Sequence, residues 1–481
     1  MLFNSIEFPI FFIIVYFFYW IVSKNNLKAQ NLFLLGASYY FYSCWDWRFL
    51  FLLVFSTLLD YFTGIKMQDA KNEVQKKYWF WLSISINLGF LGIFKYYNFF
   101  ADSFAAMLSQ IGVSTNFWTL QIILPVGISF YTFHGLSYVI DIYKNRIKAE
   151  RSFVDYGLFV SFFPLLVAGP IERATHLLPQ IKSRRTFNYS KSIDGLRQIL
   201  WGLFKKVVIA DNCAQFANEI FDHSASFSGS ALFLGAIFFA FQIYGDFSGY
   251  SDIALGSARL LGIELLKNFS FPYFSRDIAE FWRRWHISLS SWFRDYLYIP
   301  LGGSKGGLWA KIRNTFIIFL VSGFWHGANW TFVLWGAINA IYFLPLLLTN
   351  NNRNNLEIVA KGKQLPSFKE GLQMGITFTL IVFAWIFFRA KDISQAFLFF
   401  DGIFSASLWT FPKALISKSN VILLLVLAFV WIEWLGREND FAIQKLGLTW
   451  KKPIRWLFYL SISTAILLYF GKAEEFIYFQ F

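Results

Sequence analysis

Apolar runs long enough to approach or reach a bilayer span recur along this chain of 481 residues. Two examples are FPIFFIIVYFFYWIV at 8–22 and VILLLVLAFVWIEWL at 421–435. A helix needs about 20 apolar residues to cross the hydrocarbon of a bilayer. Because 56% of the residues are hydrophobic and only 15% are charged, the chain cannot cover a water-soluble surface. The sequence therefore predicts an all-α, polytopic membrane protein that forms a single integral-membrane domain over 1–481.

The formal net charge of +14 comes from basic residues that cluster between the apolar runs. Such clusters lie at 24–28, 66–77 and 144–151. Short basic loops stay on the cytoplasmic side of a membrane, where they also contact anionic lipid headgroups. Topology and membrane lipids therefore explain the charge, and we do not expect nucleic acid as a partner.

The spacing of the runs predicts ten to twelve membrane-embedded helices, with 31–45 and 48–64 forming a helical hairpin. The run at 153–168 has basic residues on both sides, which indicates a re-entrant or broken helix. The segment 276–307 is too polar to cross hydrocarbon and too aromatic for a water-exposed loop. It predicts one interfacial or protein-lined helix, ended by Pro300 and the glycines after it.

Several common kinds of site find no support in the sequence. The two cysteines, Cys44 and Cys213, lie in or beside apolar segments and predict neither a disulfide framework nor a metal site. The chain contains no HExxH pair, no GxSxG elbow and no Walker loop. Metalloprotease, serine-hydrolase and nucleotide-phosphate chemistry are therefore not indicated.

His326 lies in VSGFWHGANW, inside a predicted helix from Thr315 to about Leu334. Helical spacing would put Ser322 and Asn329 on the same face as His326. An ionisable group at mid-membrane is costly when charged, so such groups usually line an interior cavity with a function. A neutral imidazole suits general-base chemistry, and we predict that it deprotonates a hydroxyl. A histidine that only bridges two helices by hydrogen bonds is the alternative.

A second polar line runs along the predicted helix at 276–307. Its members, Arg283, His286, Ser290 and Arg294, recur at helical spacing. The arginines would either anchor the helix to lipid headgroups or face an anionic acyl carrier, such as a phosphopantetheine arm. The pattern leaves both interpretations open.

Other titratable residues in apolar runs are predicted to be structural. Asp246 and Asp252 lie in YGDFSGYSDIALG, and a buried carboxylate needs a partner. We expect structural ion pairs, with the arginines of 283–294 as candidate partners. His134 is expected to be a core histidine with hydrogen-bond partners, and His176 to lie near a membrane face.

Several long motifs together resemble the membrane-bound O-acyltransferase family. They are ILPVGISFYTFHGLSYVIDIY, AGPIER, YGDFSGYSDIALG, FWRRWHISLSSWFRDYLYIPLGG and SGFWHGANWTFVLWG, supported by the terminal FIYFQF. They are most similar to the bacterial polysaccharide O-acetylase branch, which contains the alginate O-acetyltransferase membrane subunits. The likeness follows nearly the whole chain in order. Glu172 in AGPIER is a charge that the pattern does not require, and no role is predicted for it.

The resemblance implies about eleven transmembrane helices, with re-entrant and interfacial helices, around a central funnel. The histidine that is nearly invariant in the family corresponds to His326, and a second family histidine to His286. An acyl group, expected to be acetyl, would pass from a cytoplasmic thioester donor (acetyl-CoA or an acyl carrier) to a hydroxyl reached from outside. His326 would act as the base and His286 would position a substrate, with Asn329 or backbone N–H groups at the oxyanion. No bound cofactor is implied.

The resemblance also implies an extracytoplasmic esterase-like acyltransferase as partner, a polysaccharide acceptor, and a location in the bacterial inner membrane. Two alternatives stay open. Within the family, the chain would transfer D-alanyl groups from a carrier protein to teichoic acid. Outside it, intramembrane His, Asp and Arg residues also suit a proton-coupled transporter, although the sequence lacks the inverted repeats that many transporters have.

Overall fold

A computed structural model describes residues 1–21, 26–113, 124–167, 169–471, 474 and 476–477. In this part of the chain all regular secondary structure is helical, so the predicted all-α class is confirmed. Some predicted features lie outside the described residues, namely Lys24 of the first basic loop, Ile123 and Ala168 of two motifs, and the last four residues of FIYFQF.

The described chain divides into two compact units. The first unit is Met1–Ser192 with Ser257–Leu266, and the second is Ile193–Gly256 with Lys267–Phe481. Each unit is described by itself, and the single domain over 1–481 stays a prediction.

The first unit contains nine α-helices among its described residues, the start of a tenth, and a π-helical segment, Gly92–Tyr96, between the fourth and the fifth. They are α1 (Glu7–Ile21), α2 (Leu27–Ser43), α3 (Trp47–Gln68), α4 (Glu73–Leu91), α5 (Tyr97–Gln110), α6 (Ile128–Tyr143), α7 (Phe153–Ser161), α8 (Phe163–Leu166), α9 (Ala174–Ile181) and α10 (Tyr189–Leu203).

Most of α10 belongs to the second unit, where it continues into a π-helical segment, Phe204–Ala210. The following helices are α11 (Asp211–Asp222), α12 (Gly229–Leu260), α13 (Ile278–Arg284), α14 (Ile287–Phe293), α15 (Gly307–His326), α16 (Trp330–Leu348), α17 (Phe368–Arg389), α18 (Ile393–Ile403), α19 (Lys413–Gly436) and α20 (Lys452–Tyr469). The last turn of α12 is part of the first unit.

Five of the described helices, α3, α12, α16, α17 and α19, are long and apolar enough to cross a membrane. This finding supports the membrane protein that the composition predicts. The number of about eleven spanning helices stays a prediction.

Two local predictions in the first unit are confirmed. Helices α2 and α3 form next to each other where the hairpin was expected, and each begins after a capping side chain, Asn26 and Asp46 respectively. The helix predicted to be broken at 153–168 is interrupted at Phe162, whose backbone leaves the helical conformation. Helix α8 then begins at Phe163, with Pro164 in its first turn.

The single helix predicted at 276–307 is wrong, because the chain forms two short helices with a sharp turn between them. Helix α13 ends at Arg284, and α14 begins at Ile287. Between them His286 adopts a left-handed backbone conformation with φ of 42°. Three apolar residues of this segment are nevertheless buried, since Phe281, Trp285 and Leu289 are each at most 3% exposed. Their burial against the rest of the unit holds both short helices in place.

The helix predicted around His326 is also interrupted. Helix α15 ends at His326, Gly327 is extended, and α16 begins at Trp330. Asn329 causes the restart, because its side chain accepts a hydrogen bond from the N–H of Thr331 at 3.0 Å. His326 therefore lies at the end of a helix and not at its middle.

Helices α15 and α16 approach closely at two glycines. A side chain at Gly323 would collide with the carbonyl of Phe332, and one at Gly336 would collide with the carbonyl of Phe319. These pairs run in opposite directions along the two helices, so the helices form an antiparallel hairpin. Because His326 is the last residue of α15, the hairpin fixes its position relative to α16.

Candidate active site

His326 is enclosed by aromatic rings from three helices of the second unit. Its imidazole centroid lies 5.2 Å from the ring of Trp335 in α16 and 5.2 Å from the ring of Phe388 in α17. The neighbouring Trp325 ring lies 4.9 Å away. Only 4% of the residue is exposed. Rings on several sides fix the plane of the imidazole and limit the access of water to it.

His286 reaches the same region from the turn between α13 and α14. The residue is 1% exposed, and its ring packs edge-on against Phe247 of α12 at 4.6 Å. A positive φ at a non-glycine residue costs on the order of 1–3 kcal/mol and persists only where its surroundings enforce it. The strained backbone at this position is consistent with a functional constraint on where the imidazole points.

The enforcing contacts come from the segment before α13. The carbonyl of Asn268 accepts a hydrogen bond from the N–H of Ile287 at 2.9 Å. The side-chain oxygen of Asn268 accepts from the Ser288 hydroxyl at 2.6 Å, and its amide donates to Ser251 at 3.0 Å. Asn268 thus ties the turn at His286 to α12. No sequence pattern singled out this residue, since its partners come from distant parts of the chain.

The two imidazoles, one at the end of α15 and the other in the turn between α13 and α14, lie close together. Their ring centroids are 6.5 Å apart, and the Trp325 ring lies beside both. Hydrogen bonds to oxygen span about 2.8 Å between heavy atoms, so this separation is short enough for one oxygen to bond both rings. The structure therefore brings together the two histidines that the sequence predicted to be catalytic.

Burial lowers the pKa of the His286 imidazole to about 3. The cause is desolvation, which penalises the charged form. At neutral pH His286 is therefore uncharged and has one nitrogen that donates and one that accepts a hydrogen bond. Such a group can orient a hydroxyl or a carbonyl without adding a charge.

The supporting residues predicted around His326 have different outcomes. Ser322 lies one turn before His326 in α15 and is buried, as expected. The prediction that Asn329 shares this helical face is wrong, because the helix ends first. The Asn329 amide caps α16 and donates to the carbonyl of Lys391 at 2.8 Å. Backbone N–H groups remain the predicted oxyanion donors.

The predicted polar line with Arg283 and Arg294 is not formed, because the helix that would carry it is broken. Arg283 donates to the carbonyls of Asn352 and Asn355 at 2.8 and 2.9 Å. Arg294 pairs with Asp295 at 2.8 Å, and its side chain is 62% exposed. These contacts make Arg283 an anchor of the loop that follows α16 and give Arg294 a surface ion pair.

Asp246 and Asp252 form ion pairs as predicted, buried for Asp246 and partly buried for Asp252, but the arginines of 283–294 are the wrong partners. Lys206 approaches Asp246 at 2.8 Å, and Lys205 approaches Asp252 at 2.6 Å. Both lysines lie in the π-helical segment after α10, which faces α12. The extra residue per turn of a π-helix changes which side chains face a neighbour, so ordinary helical spacing could not reveal these pairs.

Sequence reasoning also missed Glu172, which is fully buried in the first unit. Its carboxylate accepts the N–H of Leu266 at 2.6 Å and contacts Nδ1 of His176 at 2.8 Å. Its own N–H donates to Nε2 of His134 at 3.0 Å. His134 is thus the hydrogen-bonded core histidine that the sequence predicted. A carboxylate in the AGPIER motif was the only available signal for Glu172.

Comparison with known proteins decides the family. Residues 144–376 match the model of the membrane-bound O-acyltransferase family. The chain is 38% identical over 424 residues to the probable alginate O-acetylase AlgI of Azotobacter vinelandii, covering 87% of this chain and 82% of that protein. The chain belongs to the membrane-bound O-acyltransferase family.

Two further relatives bear on the chemistry of this O-acyltransferase. The peptidoglycan O-acetyltransferase of Helicobacter pylori is 37% identical over 414 residues, which cover 81% of this chain and 76% of that protein. The teichoic acid D-alanyltransferase of Streptococcus thermophilus is 29% identical over 341 residues, 66% of this chain and 78% of that protein. The chain is a membrane enzyme that uses an acyl donor as substrate. The roles of His326 and His286 stay predictions.

Proposed function

We propose that this enzyme transfers an acetyl group from a cytoplasmic thioester donor across the bacterial inner membrane to a hydroxyl, leading to O-acetylation of a cell-surface polysaccharide. The observation that carries the proposal is the pair of buried imidazoles, with centroids 6.5 Å apart. One ring can serve as base while the other orients the reacting group. The donor is acetyl-CoA or an acyl carrier.

In the proposed reaction the acceptor O–H donates a hydrogen bond to the neutral imidazole of His326. As the oxygen attacks the thioester carbonyl, its proton passes to His326 and a C–O bond forms. The tetrahedral oxyanion then collapses and the C–S bond breaks. The thiolate leaves and takes the proton from the imidazolium, so that the products are an ester, a thiol and a neutral histidine.

His286 is the proposed positioning residue in this reaction. An uncharged imidazole can donate to the thioester carbonyl or accept from the acceptor hydroxyl. Holding the two reactants in line supplies a large part of the rate enhancement in a bimolecular transfer. Its strained backbone and the brace from Asn268 keep the ring in place.

Acetyl is favoured over D-alanyl by the relatives. The proteins named as alginate or peptidoglycan O-acetylases are 34–38% identical to this chain, whereas the teichoic acid D-alanyltransferases are 28–29% identical over shorter stretches. We further propose an extracytoplasmic esterase-like protein as the partner that completes transfer to the polysaccharide.

The proposal is tested by mass spectrometry of surface glycans from a strain that lacks this chain. We expect acetyl esters to disappear and to return when the wild-type chain is supplied. Glycans that keep their acetyl esters but lose D-alanyl esters would establish the D-alanyl alternative and contradict ours.

The same strain separates chemistry from scaffolding. A chain with His223→Ala, which changes an exposed loop histidine, should restore acetylation. A chain with His326→Ala should reach the membrane at the wild-type level without restoring it. Acetylation restored by His326→Ala would contradict the assignment of the base.

A further inference from the structure

A cavity of about 370 Å³ lies in the first unit, and none of its residues belongs to the proposed active site. Its wall is formed by the last turn of α1, the loop between α9 and α10, the first turn of α10 and the end of α12. The cavity is therefore built by segments that are distant in sequence.

The charge of this cavity is strongly positive. Four basic residues line it, Arg184, Arg185, Lys191 and Arg259, and no carboxylate does. Glu264, which lies outside the lining, pairs with Lys191 at 3.1 Å and with Arg259 at 3.2 Å. Glu264, and Asp155 through its charge near Arg185, offset part of the charge of these four cations. The remainder favours an anion in the cavity.

Arg185 is the central observation, because its guanidinium is buried in the wall. The residue is 6% exposed. It donates through Nη2 to the side chain of Asn31 and lies over the Tyr19 ring, 5.6 Å from its centroid. Among the described residues no acceptor contacts its Nε or Nη1. A buried guanidinium with unsatisfied donors indicates that an anionic group completes the site.

The surroundings of Arg185 are fixed in advance. Asn31 is held by Asp155, whose carboxylate accepts from its amide at 2.7 Å. The Tyr19 hydroxyl donates to the carbonyl of Leu261 at 2.8 Å, just before Gly262 turns with φ of 77°. The cavity does not need to fold around its ligand, so little ordering entropy opposes binding.

The entrance carries features of a membrane interface. Trp20 lines the cavity, and its indole N–H donates to the carbonyl of Leu260 at 3.1 Å. Tryptophan with one polar contact and one apolar face is typical of the headgroup level of a bilayer. The first turn of α10 also lines the cavity.

We propose that this cavity binds a phosphate group, carried either by an anionic lipid headgroup or by a soluble phosphate. Phosphate oxygens match the fork of an arginine and accept several hydrogen bonds at once. The site is separate from the acyl-transfer chemistry and does not depend on the proposed acceptor.

The test uses the full chain purified in mild detergent and a double variant, Arg184→Gln/Lys191→Gln. Both side chains are exposed at the mouth, so the buried Arg185 and the fold are left in place. The matched control is Lys451→Gln/Lys452→Gln, which removes the same charge from exposed positions at the start of α20.

In the first arm, native mass spectrometry measures lipid retention from equimolar phosphatidylglycerol and phosphatidylcholine. In the second arm, thermal unfolding is followed with inorganic phosphate against chloride at equal ionic strength. We expect the double variant to bind about tenfold more weakly than the wild type and the control, because it loses two positive charges that line the cavity.

The two arms distinguish the sources of the phosphate. A preference for phosphatidylglycerol that only the double variant loses supports a lipid headgroup. Stabilisation by phosphate that only the double variant loses, without any lipid preference, supports a soluble ligand. Equal behaviour of wild type and double variant in both arms would overturn the proposal.

Discussion

Both compact units bury histidines, but they surround them differently. In the first unit, His134 accepts a backbone hydrogen bond from Glu172, whose carboxylate in turn holds Leu266 and His176. In the second unit, His286 and His326 pack against aromatic rings, and the centroids of their own rings are 6.5 Å apart. Burial alone therefore does not indicate catalysis. The histidines of the first unit, His134 and His176, are hydrogen-bonded to Glu172, which joins distant segments of the chain. The histidines of the second unit are distinguished by the short distance between their two rings.

The largest expected effect compares His326→Ala with His134→Ala. Removing a general base lowers turnover by about 10²–10⁴-fold. We expect His326→Ala to lose donor turnover on this scale in purified protein, while His134→Ala keeps its turnover per folded molecule. Thiol release from the donor measures both, with the folded fraction determined by gel filtration.

A loss of equal size in both variants, at equal folded fraction, would remove the distinction between the two units. It would mean that the hydrogen-bonded histidine also takes part in the transfer.

The next effect concerns His286, whose position depends on a left-handed backbone. We expect His286→Ala to lower turnover by up to about 10²-fold, because a misplaced reactant loses the benefit of orientation. His286→Asn should lose less, since asparagine tolerates positive φ and keeps a group that donates and accepts. Thiol release at saturating donor compares the two variants.

Equal turnover of His286→Asn and His286→Ala would argue that neither the backbone conformation nor the hydrogen bond matters. Turnover at the wild-type level in both would assign His286 a packing role.

A smaller effect is expected on stability in the first unit. His134→Leu leaves the N–H of Glu172 buried without its acceptor, which costs about 1–3 kcal/mol. Thermal or chemical unfolding in detergent should show this loss, whereas the exposed change His223→Ala should not. An unchanged midpoint for His134→Leu would show that the hydrogen bond to Glu172 does not hold the unit together.

The smallest effect is a pH dependence at His176. The hydrogen bond that the His176 imidazole donates to the Glu172 carboxylate raises the pKa of His176 above its ordinary value of 6.5. The native state therefore binds the proton more tightly than the unfolded state, so the contribution is full below pH 6.5 and is lost as the pH rises through the raised pKa. His176 is 37% exposed, so screening keeps this contribution below about 1 kcal/mol.

The measurement is the unfolding midpoint of the wild type and of His176→Gln as a function of pH. The difference between them should be largest on the acidic side and should shrink above neutrality. A difference that does not change with pH would contradict the ion pair.

Much of this protein follows from local sequence patterns. Apolar runs determine an all-helical membrane protein, because the bilayer leaves the backbone no other partner than itself. Capping residues such as Asn26 and Asp46 place helix starts, and a histidine in an apolar run marks His326 as unusual. These features depend on residues that are close together in the chain.

The predictions of one helix around His326 and of another through His286 were wrong. Both helices are interrupted, at Gly327 and at His286, because capping and tertiary contacts outweigh the apolar periodicity. The partners of Asp246 and Asp252 also differ from the prediction, since a π-helical segment presents lysines where ordinary spacing would not.

The sequence by itself thus determined the helical class, the membrane setting and which histidines are unusual. Only the tertiary structure decided that His286 and His326 lie close together, that Asn268 braces the turn, and that Arg185 lines a basic cavity. The physical reason is that hydrophobic periodicity records which face of a helix is buried but not what lies opposite. Contacts between distant segments come from packing of the whole unit, and no short stretch of residues contains them.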